Sequence, residues 1–272
     1  MAVESENGKL GILAGGGDLP GLLIEACAAT GREVFVVAFK GFAQADTLAD
    51  TPHVWTDLAA VGKTLRHLHK AKCDQVVLAG PVGRPSISSM RPDLRGALLL
   101  PRVIKAGGDD AALKIIVAEL EGEGFDVLGA DDILGDLLAP SGAIGSLLPG
   151  LEHNEDIGRG IKAAQALGRA DVGQAVVIQQ GVVLGVEAAE GTDALIKRCA
   201  KLRMDGRGSV LVKLKKPGQE RRADLPTIGT ATILGAARAG LVGIAVEAGG
   251  TLILGRQNVA AAADKAGLFV YG

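Results

Sequence analysis

Apolar positions along this chain gather in short blocks, and glycine punctuates them. Lys9 to Ala14 is an apolar run ending in Gly15-Gly16-Gly17, and Leu19 to Thr30 then reads as a helix stopped by Gly31. A second run, Glu33 to Phe39, follows, and a helix-like stretch from Asp57 to Lys72 leads to a third, Asp74 to Ala79, closed by Gly80-Pro81. Asp109 to Glu123 is a further amphipathic helix with acids in its first turn, and Phe125 to Gly129 a further strand. Strands alternating with helices predict an α/β fold, a Rossmann-like parallel sheet with right-handed crossovers.

From Ala139 to Gly150 the composition turns to Pro, Ser and Gly, which predicts a linker. Beyond it the pattern changes. Ala175 to Gln179 and Val182 to Glu187 flank Gln180-Gly181 as a hairpin, Gly191 to Leu202 reads as a helix, and Gly208 to Leu214 as a strand. Ile244 to Glu247 and Thr251 to Leu254 flank Gly249-Gly250, a second hairpin signal, and Asn258 to Ala266 is a closing helix. No internal repeat relates the halves. The expectation is a domain over 1–138, a linker over 139–150, a distinct α/β domain over 151–272, and a substrate cleft between the two domains.

Composition narrows the class. Of 272 residues, 48% are hydrophobic and 22% charged, with a mean hydropathy of +0.29, which excludes a disordered chain and supplies a sizeable core. The longest apolar stretch, Leu225 to Gly249, is broken by Arg238 and Glu247, so no run approaches the roughly 20 residues of a membrane span. The N-terminus is acidic and polar, unlike a signal peptide, and Cys27, Cys73 and Cys199 form no C-x-x-C pair. A cytoplasmic, reducing location is expected.

A formal charge of −2 argues against a general nucleic-acid binder. Its distribution is uneven, because Lys197 to Arg222 contains ten basic residues against Asp205 and Glu220. Such a run is either a solvated face or a local surface for phosphate or anionic lipid.

Candidate chemistry begins at Gly15-Gly16-Gly17, where glycines after a strand let backbone N–H groups approach a phosphate. Pro20 stands where a third dinucleotide-motif glycine belongs, and Ala38-Phe39-Lys40 lacks the acid that holds a ribose. NAD is disfavoured, while another nucleotide or phosphate, or a turn that only needs positive φ, stays open. Gly62-Lys63-Thr64 is no phosphate loop, since Asp57 occupies the position of its first glycine. Gly80-Pro81-Val82-Gly83-Arg84-Pro85 lies at the carboxyl end of a predicted parallel strand, where Arg84 is a phosphate candidate or mere loop punctuation. The four histidines fall in no metal-ligand spacing. Asp109-Asp110 reads as helix capping. Asp224, directly after Arg221-Arg222 and before Leu225-Pro226-Thr227-Ile228-Gly229, is either an ionised ligand for magnesium or water, or an ordinary ion pair with those arginines.

Four strings taken together resemble the LpxI-type UDP-2,3-diacylglucosamine pyrophosphatases of lipid A biosynthesis. They are Leu13 to Pro20, Gly108-Asp109-Asp110-Ala111, Glu190-Gly191-Thr192-Asp193-Ala194 and Asp224-Leu225-Pro226-Thr227-Ile228-Gly229, in family order over nearly the whole chain. The loop at Gly80 fits at Arg84 and Pro85 and departs at Pro81 and Gly83. The resemblance implies two domains that clamp the substrate, and Mg²⁺-dependent hydrolysis to UMP and 2,3-diacylglucosamine 1-phosphate by water attacking the α-phosphorus. It makes Asp224 the catalytic aspartate and a magnesium ligand. Substrate contacts are then expected at Gly15, Gly16, Gly17, Arg84, Gly191, Thr192, Asp193, Arg222, Thr227 and Gly229.

The expected partner is a UDP-linked diacylated glucosamine lipid, met by peripheral contact with the cytoplasmic face of the inner membrane, and a homodimer is the base-rate expectation. With one Trp, one Tyr and five Phe, the uracil is expected on backbone groups of glycine turns and the acyl chains on aliphatic side chains. Two rivals remain: another nucleotide-sugar enzyme, such as a glycosyltransferase or an epimerase-like oxidoreductase, and a non-catalytic UDP-lipid sensor.

Overall fold

The computed structural model describes residues 8–48, 50–83 and 90–272. The chain divides into two compact units, Met1–Gly135 with Glu220–Asp224, and Asp136–Gln219 with Leu225–Gly272.

The first unit contains β1 (Leu10–Ala14), α1 (Leu19–Thr30), β2 (Val34–Phe39), β3 (His53–Thr56), α2 (Val61–Lys70), β4 (Gln75–Ala79), α3 (Leu94–Lys105), α4 (Asp109–Gly122), β5 (Asp126–Leu128) and α5 (Ala130–Ile133). Its strands are all parallel in the order β3-β2-β1-β4-β5. β1 is buried at all five positions, as a central strand covered on both faces must be, so its sequence is uninterruptedly apolar. The expected parallel sheet is therefore present. Gly31 ends α1 in the left-handed conformation, and the next N–H, that of Arg32, closes on the Cys27 carbonyl. The edge strand β3 and the helix α3 gave no clear signal, because β3 is short and polar at its start and the apolar positions of α3 are not confined to one face.

The second unit contains α6 (Leu151–Arg169), β6 (Ala175–Gln179), β7 (Val182–Val186), α7 (Thr192–Cys199), β8 (Ser209–Lys213), β9 (Thr227–Gly229), α8 (Thr230–Ala239), β10 (Leu241–Val246), β11 (Leu252–Leu254), α9 (Arg256–Ala266) and β12 (Phe269–Tyr271). A mixed sheet runs β12-β10-β8-β6-β7, and β9 pairs in parallel with β11 as a separate ribbon. Alternate residues serve opposite faces: Val177 and Leu211 join the core under α7, α8 and α9, while Val176, Val210 and Val212 join the one under α6.

The hairpin expected at Gln180-Gly181 is present. Both turn residues have positive φ, and the buried Asp156 carboxylate of α6 accepts both of their N–H groups. The second expected hairpin is not. β10 pairs in parallel with β8 and β12, and β11 pairs with β9, because the backbone between them bonds to Ala139 instead. Gly249 N–H donates to the Ala139 carbonyl and Ala139 N–H to the Thr251 carbonyl, which sends the two strands to different sheets.

The same contacts correct the linker. Ala139 and Ile144 are buried in the second unit's core, Ile144 N–H donates to Val270 O, and Gly142 exchanges two hydrogen bonds with Gly272. Residues 139–150 are thus built into the second unit, whose Pro, Ser and Gly content reflects a tightly turning rim. The expected domain limits move accordingly, from 138 to 135, and the span 151–272 gives up Glu220–Asp224 to the first unit.

Ile144→Ser is expected to cost about 2–3 kcal/mol in urea unfolding, as removal of a buried aliphatic group does. A flexible linker would accept the change within about 0.5 kcal/mol.

Candidate functional site

In open α/β sheets ligands lie beyond the carboxyl ends of the strands where the strand order reverses, here beside β1 and β4. The loops leaving those strands are Gly15–Gly17 and Gly80–Gly83, and they clasp each other backbone to backbone. Gly15 N–H donates to Ala79 O at 2.8 Å and Gly16 N–H to Pro81 O at 2.9 Å. A Cβ on Gly15 would stand 2.6 Å from the Gly80 carbonyl oxygen, and one on Gly80, whose φ is +83°, 2.0 Å from that of Gly16. Close approach therefore requires glycine at both places. The N–H groups of Gly15 and Gly16, expected at a phosphate, hold the β4 loop. Gly17 is exposed with φ +73° and opens onto the N-terminus of α1. Arg84 lies outside the described residues.

Asp224 belongs to the segment Glu220–Asp224, which is fixed to α4 and α5. Glu220 N–H donates to Asp110 Oδ1 at 2.7 Å. Arg221 donates through Nε to Asp131 Oδ2 at 2.7 Å, adds a second, shorter bond to the same oxygen, and reaches Asp132 Oδ1 at 3.0 Å. Arg222 donates through Nε and Nη2 to the two oxygens of Glu220, at 2.9 and 3.0 Å, and through Nη1 to Glu121 Oε1 at 2.6 Å. Ala223 packs against the first unit's core, and Asp224 N–H closes a turn on Glu220 O at 3.0 Å.

Electrostatics hold this segment in its charged form. The hydrogen bond from Arg222 keeps the Glu220 carboxyl below its ordinary range, and the carboxylates push both guanidinium groups further toward the protonated state. The Asp131 side chain is wholly buried, with Arg221 as its counter-ion.

Two expectations change here. Asp110 is not a cap, since Gly108 occupies the N-cap, and its carboxylate instead receives Glu220 and Lys114. Arg222, expected on the substrate, has its guanidinium engaged by Glu121 and Glu220 because the segment needs anchoring there. Asp224 itself is half-buried. Asp131 and Asp132 were missed by sequence reasoning. The signal was two consecutive acids just after an apolar strand.

In the second unit, Gly191 precedes α7 with φ +81°, and Thr192 Oγ1 donates to Glu187 Oε1 at 2.6 Å. Glu187 is buried and its other oxygen accepts Gln174 N–H, so Thr192 locks a turn while Asp193 stays exposed. Thr227 Oγ1 donates to Leu225 O, and the Thr227 carbonyl accepts the ammonium of Lys213 at 2.9 Å. Lys213 is buried at the end of β8, a position sequence reasoning counted within a strand and a charge run but not as a site residue. Gly229 ends β9, and its N–H meets Thr232 Oγ1 at 3.4 Å in the first turn of α8.

The basic run of Lys197 to Arg222 does not form one cationic surface. Arg198 pairs with Glu190, Arg207 with Glu152 and Asp156, and Lys216 with Asp171, while Arg221 and Arg222 anchor the Asp224 segment.

Comparison with known proteins covers nearly the whole chain. Residues 9–137 match the LpxI N-terminal domain and residues 140–271 the LpxI C-terminal domain. The UDP-2,3-diacylglucosamine pyrophosphatase LpxI of Caulobacter vibrioides is 45% identical over 272 residues, 97% of each chain. Among solved structures, the Thermus thermophilus UDP-glucose 4-epimerase complex with NAD aligns over 96% of this chain and 84% of that one, at 16% identity. Its TM-score of 0.33 carries no argument.

Removing the guanidinium by Arg221→Ala strands a buried carboxylate and is expected to cost about 3 kcal/mol in urea unfolding, with Asp131→Asn in the same chain recovering part of the loss. Glu220 has a lowered folded pKa, so its contribution is present above the ordinary glutamate range of about 4 and disappears as pH falls through the folded value. Glu220→Gln should flatten the acid limb of a stability profile against pH. An unchanged limb would remove Glu220 from the anchor.

Proposed function

The chain belongs to the LpxI family, and on that premise we propose that it hydrolyses the pyrophosphate bond of UDP-2,3-diacylglucosamine, releasing UMP and 2,3-diacylglucosamine 1-phosphate. The observation that carries this reading is the 45% identity across 97% of both chains to the Caulobacter enzyme of that name. Family correspondence over residues 9–137 and 140–271 means that both units take part in the likeness.

Asp224 is assigned as the catalytic aspartate. What supports it is the anchoring of its segment: ion pairs through Arg221 and Arg222 remove the freedom of a loop, so that the carboxylate meets its partner with little ordering left to do. Among the described residues no three His, Cys, Asp or Glu side chains gather as a preformed cation cage would require. The Asp224 carboxylate is an oxygen donor of the kind magnesium takes, and it would be the residue that holds the ion. When bound, that ion withdraws charge from the pyrophosphate.

Water forms a new P–O bond at one phosphorus of the pyrophosphate, and the bridging P–O bond breaks. Its electron pair leaves with the other phosphate, and the proton of the water passes to solvent. The uridine end is assigned to the clasped glycine loops at β1 and β4, where the absence of side chains lets a ligand lie on backbone. Arg84 is retained as the anion contact of that neighbourhood. Gly191, Thr192, Asp193, Thr227 and Gly229 are retained as substrate contacts from the second unit. No helix among the described residues is long and apolar enough to cross a membrane, which fits peripheral contact with the lipid at the cytoplasmic face.

Incubation with UDP-2,3-diacylglucosamine and Mg²⁺ is expected to release UMP, and the product that takes up ¹⁸O from labelled water, UMP or 2,3-diacylglucosamine 1-phosphate, identifies the phosphorus attacked. Release of the intact lipid would favour a sensor instead, and NAD(P) bound to the purified protein an oxidoreductase. Asp224→Ala should bind the UDP-lipid but lose turnover by about 10³-fold or more. Retained turnover in a metal-replete assay would remove this role from Asp224.

A further inference from the structure

Helix α3 presents its apolar side chains to solvent. Leu94, Leu98 and Ile104 are 82%, 72% and 53% exposed, and Ala97 and Pro101 complete the same outward face. The inward face is firmly seated. Asp93 caps the helix by accepting Gly96 N–H at 2.9 Å and also accepts Lys63 N–H of α2 at 2.7 Å. Gly96 lies so close to Ala59 that a Cβ there would stand 1.8 Å from its carbonyl oxygen. Leu99 is buried, and Arg95 is drawn down onto α4 by Glu119 and Glu123. The exposed leucines are therefore held outward on a rigid support.

Charge distinguishes this face from an ordinary apolar patch. No Asp or Glu occurs between Leu94 and Lys105, and Arg102 and Lys105 stand exposed on the apolar face, with exposed Arg91 just before the helix. Next to it, α2 adds the exposed Lys63, Arg66 and Lys70, and a groove of about 600 Å³ is lined by Leu65, Arg66, Leu94 and Leu98 together with Asp93 and Glu123, acids already engaged by the α3 cap and by Arg95. Cations bordering exposed leucines in a chain of net charge −2 are what an anionic bilayer surface attracts.

A contrasting patch lies at the start of α6, where Leu148 and Leu151 are exposed beside the exposed acids Glu152 and Glu155, the wrong sign for such a surface. A second copy of the chain fits the α3 face less well, since a two-fold contact there would oppose like cations while the nearby acids Glu119 and Glu123 are already engaged by Arg95.

We propose that the outer face of α3 is the surface by which this protein docks on a bilayer of anionic phospholipid. The leucines enter the headgroup boundary, and Arg102, Lys105 and the α2 cations meet the lipid phosphates. It rests on the reading above in that a diacylated substrate is delivered from a bilayer, and it names where the chain would meet that bilayer.

Flotation of the full chain with vesicles of phosphatidylcholine containing roughly 30% phosphatidylglycerol tests the surface. The unaltered protein is expected to float with these vesicles, less with pure phosphatidylcholine, and less again at high salt. The paired change Leu94→Glu and Leu98→Glu should reduce flotation about tenfold, and Arg102→Glu with Lys105→Glu should weaken it and reduce its salt dependence. Both variants should keep the circular dichroism of the parent and, in detergent micelles, UMP release within about twofold.

Flotation lost by these variants supports the surface even if no UMP is released, a result that would remove only the substrate reading. Failure of the unaltered protein to float, or equal flotation of both variants, overturns the proposal. So does a dimer that the leucine variant converts to monomer when the unaltered protein ignores vesicles.

Discussion

A carboxylate with no exposure to water cannot remain charged without a partner, and Asp131 is such a group. Its counter-ion is Arg221, 90 residues further along the chain. Satisfying that one buried charge brings a piece of the carboxyl-terminal half of the sequence into the first unit. Arg222 and the backbone of Glu220 extend the attachment to Glu121 and Asp110 of α4. The position of Asp224 follows from these bonds, since it closes the same short turn on Glu220 before the chain enters the second unit at Leu225. A buried ion pair is weak evidence for net stability, but it is well suited to specify one register for a segment that has little apolar surface of its own.

The clasp of Gly15 with Gly80 works in the same sense beyond the carboxyl ends of β1 and β4. It spends the backbone donors of Gly15 and Gly16 on a neighbouring loop, so these glycines bring β1 and β4 together before they serve any ligand. What this neighbourhood leaves open is chiefly Gly17 and the start of α1. The basic run of Lys197 to Arg222 is redirected likewise. Summed along the sequence it resembles an anion-binding surface, yet Arg198, Arg207, Lys216, Arg221 and Arg222 each meet acids supplied from elsewhere in the chain. Cations also face solvent beside apolar surface on α2 and α3, which the overall charge conceals.

Sequence alone determined what depends on neighbours a few positions apart. Uninterrupted apolar runs specified β1, β2 and β4 as covered strands, Gly31 specified the end of α1, and Gln180-Gly181 specified the β6–β7 hairpin. The strings at Gly15, Gly191 and Asp224 carried the family, because each is a local solution to turn geometry or site chemistry. Only the tertiary structure decided the rest. Gly249-Gly250 has the local form of a hairpin turn, but Ala139, more than a hundred positions earlier, takes its hydrogen bonds and separates β10 from β11. Ala139 to Gly150 has the composition of a linker, yet Ile144 finds a core in residues that lie at the far end of the chain. Asp131 and Arg221 show no relation in sequence at all. The energies that settle these points, pairing of a buried charge and satisfaction of backbone donors, are realised only between groups remote along the chain, where periodicity and composition carry no signal.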